Sequence, residues 1–144
     1  MKKVSDVRAK LHFAVKSLGL EDIGDAVVPR SKIPEFMNML GEITQKHGIL
    51  VSGSGHAGDG NVHFSVIAFG TPKEEFNRKL PEILKDVFRG SVSLGGTISG
   101  EHGIGVAKKK YVPIAIKQEQ IELMRNIKRV FDPTCILKPG KIFD

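Results

Sequence analysis

The chain has 144 residues, enough for one domain with a real hydrophobic core. Apolar residues make up 40% and charged residues 26%, a globular balance that argues against a disordered chain. The net charge of +6 comes from scattered lysines and arginines, and aromatics reach only 6% with no Trp, so a nucleic-acid partner is not expected.

Val4, Val7, Leu11, Val15 and Leu18 recur at helical spacing and predict an N-terminal helix over 4–18, closed by Gly19. "DAVVPRS" at 25–31 reads as a short strand stopped by Pro29. Ser31 is placed to cap a second helix, whose Ile33, Phe36, Met37, Leu40 and Ile43 form one stripe before His47 and Gly48 end it. "ILVSGSG" (49–55) and "NVHFSVIAF" (61–69) follow as strands. In the second, Val62, Phe64, Val66 and Ala68 share one face, and His63, Ser65, Ile67 and Phe69 share the other.

Thr71–Pro72–Lys73–Glu74 reads as a capping box with Pro at the first helical position. It opens a helix carrying Phe76, Leu80, Leu84 and Phe88, bent at Pro81 and closed by Gly90. "SVSLGG" (91–96) predicts a further strand. A last helix over about 117–131 carries Ile121, Met124, Ile127 and Val130 and stops before Pro133, with an irregular tail behind it. Interleaved strands and helices with one hairpin predict an α+β domain over 1–144, a single mostly antiparallel sheet with helices packed on one face. An all-parallel doubly wound sheet is the weaker alternative.

Cys135 is the only cysteine, which precludes an intrachain disulfide and suits a reducing compartment; its apolar neighbours mark it as an inert core thiol. No apolar run is long enough to span a bilayer, and charges interrupt the first fifteen residues, unlike a signal peptide. A soluble, cytoplasmic chain is the expectation.

Two glycine-rich stretches surround ionisable side chains, "GHAGDGNVH" (55–63) and "SGEHGIG" (99–105). His56, His63, Glu101 and His102 supply nitrogen and oxygen donors suited to a divalent transition ion. Seven positions separate the two histidines, too many for a one-turn helical pair, but a glycine turn between adjacent strands lets them converge. The alternative is that they are turn residues satisfied by solvent. If Glu101 binds a cation, His102 beside it is free to act as a general base. Neither stretch matches G-x-G-x-x-G or the Walker pattern, and Asp59 and Glu101 would repel a phosphate.

These two stretches, in this order, closely resemble the C-terminal domain of the FAD-linked oxidases, the group of the glycolate oxidase flavin subunit, D-lactate dehydrogenase and D-2-hydroxyglutarate dehydrogenase. "FDPTCILKPGKIF" resembles the terminal segment of that family, and "VVPRSKIPEF" resembles its strand-to-helix entry. The resemblance implies a ferredoxin-like cap domain and the oxidation of a D-2-hydroxy acid such as glycolate or D-lactate to its 2-oxo acid. It assigns His56, His63 and Glu101 to a divalent metal (Zn, Mn or Fe), His102 to the hydroxyl proton, and Arg8 to substrate contact; Ser65, on the His63 face of its strand, is a further candidate for substrate contact. It also implies FAD as hydride acceptor, bound by a domain or partner subunit outside this chain, without which the chain is not redox-active. Lys138 stands where the family tail usually has Asn, and the N-terminal segment lacks a tryptophan common in relatives. A non-catalytic metal-dependent carboxylate-binding module or partner subunit is the competing reading. An apolar face left exposed would drive association with a partner or with a second copy.

Overall fold

The computed structural model describes residues 17–19 and 21–143 of the chain. The expected helix over 4–18, with Arg8, therefore lies almost wholly outside the described residues; residues 17 and 18 sit in a turn. Three strands, β1 (Glu21–Val27), β2 (Leu50–His56) and β3 (Asn61–Ile67), form one antiparallel sheet in the order β1-β3-β2. Four helices accompany it among the described residues: α1 (Ile33–His47), α2 (Lys73–Ser93), α3 (Val112–Ala115) and α4 (Gln118–Phe131). The α+β class is as expected.

β1 starts earlier than its apolar letters suggest, because its polar first half pairs with the apolar end of β3, Glu21 opposite Ile67 and Asp22 opposite Val66. It stops before Pro29, which has no N–H to give to a ladder. Helix α1 buries Phe36, Leu40 and Ile43 and ends at Gly48, whose left-handed backbone (φ 65°) lets its N–H reach the Thr44 carbonyl at 2.9 Å. Ser31 does not cap it. Residues 30–32 instead make a 3-10 turn closed by the Lys32 N–H on the Pro29 carbonyl.

The expected capping box at 71–74 does not form either, since Pro72 precedes the helix with no side-chain cap bond. Helix α2 runs through Gly90 to Ser93, where a strand had been expected over 91–96. Gly90 has no side chain to keep α1 away: a Cβ there would come within 2.8 Å of Met39 Cε. Ser91 is fully buried and its hydroxyl donates to the Phe88 carbonyl at 2.9 Å, so the helix spends that polar group internally. No strand forms over 91–96; an isolated bridge pairs Thr97, just beyond it, with Val27.

The sheet divides the molecule. On one face Phe64 meets Phe88 of α2 edge-on, at 5.7 Å between ring centroids, and Gly53 lies under Met37 and Leu40 of α1. Ala26, Val51, Val62, Phe64 and Val66 are buried there with Ile83 and Val87 of α2. The other face carries Asp25 of β1, His63 of β3 and Ser54 of β2 in direct cross-strand register. The alternation read in β3 is thus observed, and it presents His63 and Ser65 opposite the helices.

The segment following α2 closes over this second face. Val27 and Thr97 exchange two backbone hydrogen bonds, at 3.1 and 2.8 Å. A Cβ on Gly96 would stand 1.9 Å from the Val27 carbonyl oxygen. Gly96→Ala is therefore expected to destabilise the fold by about 1–3 kcal/mol, measured as a lower urea midpoint; an unchanged midpoint would contradict the close approach.

Helix α4 departs from its expected packing. Of the stripe Ile121, Met124, Ile127 and Val130, only Ile121 is buried, and Val130 is 77% exposed. Leu123, Phe131, Ile136 and Leu137 are also exposed, which leaves an apolar surface along α4 and the tail. Cys135 lies in that tail and is exposed, not a core thiol as its apolar neighbours suggested. No helix among the described residues is long and apolar enough to cross a membrane.

Candidate functional site

The turn at 57–60 joins β2 to β3 and is held by Asp59 and Gly60 N–H groups, both 3.1 Å from the His56 carbonyl. Gly60 takes a positive φ of 85° because its backbone is pressed against β1, where a Cβ would sit 2.2 Å from the Val28 carbonyl oxygen. The turn leaves His56 at the end of one strand and His63 inside the next, with ring centroids 5.1 Å apart and planes at 81°. Glycine here shapes the hairpin that brings the two imidazoles together.

Glu101 arrives from the loop over the sheet. Its Oε1 lies 2.9 Å from His63 Nε2 and 3.6 Å from His56 Nε2. One ligand atom from each of the three residues falls within 4.8 Å of the others. Ligands held about 2.0–2.2 Å from a tetrahedral ion stand on the order of 3.3–3.6 Å apart. The His56–Glu101 separation lies at the edge of that range, and the 2.9 Å His63–Glu101 contact is of hydrogen-bond length, so the cluster could close on a shared divalent cation with small adjustment. A hydrogen-bonded cluster is the poorer description for His56, whose distance to Glu101 is too long for a hydrogen bond. The two-nitrogen, one-oxygen donor set fits a transition ion and leaves coordination positions for another ligand. All three side chains are partly exposed, so an ion and a small ligand can reach them.

His102 joins the group by stacking on His63, with centroids 5.1 Å apart and planes at 23°. Its Nδ1 lies 3.5 Å from Asp25 Oδ1, which leaves Nε2 as the ring nitrogen turned to other work. Ser65 shares the face of His63 two residues on, half-buried between Ile23 and Ser52 in the strand register. The structure thus brings His56, His63, Glu101 and His102 together and places Ser65 on the same face; Arg8 lies outside the described residues.

Three residues of the site were missed by the sequence reading. Asp25, fully buried, accepts hydrogen bonds from the Gly100, Glu101 and His102 N–H groups at 2.6, 2.7 and 3.2 Å and from the Ser99 hydroxyl at 3.2 Å. Lys108 is buried against it, donating to its carboxylate and to the Asp25 and Ile98 carbonyls, both at 2.9 Å. Burial alone would raise the Asp25 carboxyl, but the Lys108 ammonium and the converging backbone N–H groups outweigh it and hold the group well below the usual carboxylate range. The third is Asn61, opposite His56, whose buried Oδ1 has no partner and lies 2.9 Å from where a Cβ on Gly100 would be. A carboxylate inside the otherwise apolar "DAVV" was the one available signal; nothing separated Lys108 from its neighbours in "KKK".

Residues 4–142 match the C-terminal domain of the FAD-linked oxidases. The chain belongs to that family. It is 43% identical over 136 residues to the D-lactate dehydrogenase of Archaeoglobus fulgidus, covering 94% of this chain and 29% of that protein. It is 40% identical over 119 residues to the glycolate oxidase subunit GlcD of Bacillus subtilis, covering 83% and 25% respectively. With the D-2-hydroxyglutarate dehydrogenase of Stutzerimonas stutzeri it shares 36% identity over 122 residues, 83% of this chain and 26% of the other. This FAD-linked oxidase domain therefore spans less than a third of the length of each of these relatives.

Proposed function

We propose that this domain is the metal- and substrate-binding part of an FAD-dependent 2-hydroxy-acid dehydrogenase, acting on glycolate or D-lactate. The convergence of His56, His63 and Glu101 beside His102 supports the reading most strongly. The names of the relatives supply the substrate class. When bound, a divalent ion such as Zn, Mn or Fe supplies Lewis acidity toward the hydroxyl and carboxylate of the substrate, and FAD, carried by a partner domain or subunit, supplies the hydride acceptor.

The chain's own residues do the rest. His56, His63 and Glu101 would hold the ion on the face of the sheet turned away from the helices. His102 takes the hydroxyl proton at Nε2, while its Nδ1 stays turned to the buried Asp25 carboxylate. Ser65 offers a hydroxyl to the substrate from the strand that carries His63. The exposed apolar residues of α4 and the tail are surface for the FAD-binding partner.

The test is metal analysis of the purified chain, followed by flavin reduction in an enzyme reconstituted with the FAD-binding part. The wild-type chain is expected to carry about one divalent ion and His56→Ala to lose it. His102→Ala is expected to keep the ion and lower the rate of flavin reduction by about 10²–10⁴-fold. An unchanged rate with metal retained would favour the non-catalytic carboxylate-binding module.

A further inference from the structure

We infer that Asp25 and Lys108 form a buried positioning pair that holds residues 98–102 so that Glu101 and His102 face the two histidines. The inference rests on the proposed metal site for what the loop serves; the holding itself stands on separate geometry. Asp25 is fully buried in β1, directly opposite His63. A carboxylate survives there only if its oxygens are fully engaged.

Its partners are not spread around the fold. The Ser99 hydroxyl and the backbone N–H groups of Gly100, Glu101 and His102 all point at this one carboxylate. Lys108 takes the remaining residue of the loop, donating to the Ile98 carbonyl at 2.9 Å while it also binds Asp25. Each residue from 98 to 102 is therefore tied to one member of the pair. Successive N–H groups converging on one anion fix the backbone rotation at the two positions whose side chains carry the chemistry. Gly100 permits the approach, since a Cβ there would press on Val27 at 2.6 Å and on Asn61. Neither member of the pair is hydrogen-bonded to His56 or His63. Lys108 acts through the loop backbone, and Asp25 acts through that backbone and through its carboxylate 3.5 Å from His102 Nδ1, so both are positioning residues.

The test uses the full 144-residue chain with Asp25→Asn and with Asp25→Asn/Lys108→Met, which removes both charges and leaves neither buried alone. Amide hydrogen exchange is followed by NMR, and zinc affinity is measured by competition with a chelator. Gly100 and Glu101 amides are expected to exchange at least about tenfold faster in both variants, with Phe64 and Val66 amides of β3 little changed, and zinc affinity to fall about 10–100-fold. Exchange at Gly100 and Glu101 that stays unchanged, or rises only in step with Phe64 and Val66, overturns the proposal whatever zinc does. Local loosening with unaltered zinc affinity also overturns it, because the loop would not be held for the ligand. Local loosening in a protein whose wild type binds no zinc sustains the positioning pair and removes the metal reading instead.

Discussion

Lys108→Met is expected to lower the unfolding free energy by about 3–5 kcal/mol. The variant leaves the fully buried Asp25 carboxylate without its ammonium and the Ile98 carbonyl without its donor. Urea unfolding at neutral pH measures the loss. The same pair fixes the acid response. Asp25 titrates below the ordinary carboxylate range in the folded protein, so its contribution is complete above the unfolded value of about 3.9. It is lost progressively as pH falls below that value toward the folded one. The gap between wild type and Lys108→Met should therefore narrow as pH drops below about 4. Asp25→Asn/Lys108→Met should recover much of the stability lost by the single change, because no charge is then stranded. A gap independent of pH would show that Lys108 acts through packing alone.

His63→Ala is expected to weaken zinc binding on the order of a hundredfold. Structural zinc sites bind with about 10–16 kcal/mol shared over four ligands, so one ligand carries roughly 2.5–4 kcal/mol. His63 is the central member of the cluster, touching Glu101 at 2.9 Å and lying between the rings of His56 and His102. His47→Ala provides the control, since His47, at the end of α1, is bound to Asp86 of α2 at 2.7 Å, away from the cluster, and should leave zinc affinity unchanged. Equal losses from the two substitutions would mean that His63 matters to the fold rather than to an ion.

The parts of the site visible in the sequence were those set by local chain geometry. Alternation along β3 was readable because one face is buried and the other is not, and the glycines of 55–60 announced a turn between two strands. The residues that failed to announce themselves depend on partners far along the chain. Asp25 reads only as the polar first residue of a strand, because its five donors lie at 99–108. The strand expected over 91–96 failed for a related reason. Alternating Ser-Val-Ser-Leu mimics a half-buried strand, but the contact of Gly90 with Met39 and the internal bond of Ser91 carry α2 onward. For α4, periodicity correctly marked a helix but not what the helix faces. Val130 is 77% exposed and Ile127 50%, so most of that stripe lies outside the core formed by the described residues.

The site also has an order of assembly. His56 and His63 belong to one hairpin, and such a hairpin closes in about 1–10 μs once its strands are free. Glu101 reaches its place only when Asp25 captures residues 75 to 77 positions away. During synthesis at about 5–20 residues per second, Glu101 emerges some seconds after His56. A nascent chain therefore shows cellular ions a bare pair of imidazoles before the carboxylate arrives. Imidazole pairs favour ions late in the Irving–Williams order, whereas a carboxylate shifts preference toward harder ions. On the proposed metal reading, first capture and final retention would be governed by different donor sets, and the ion that stays would be selected when the loop closes.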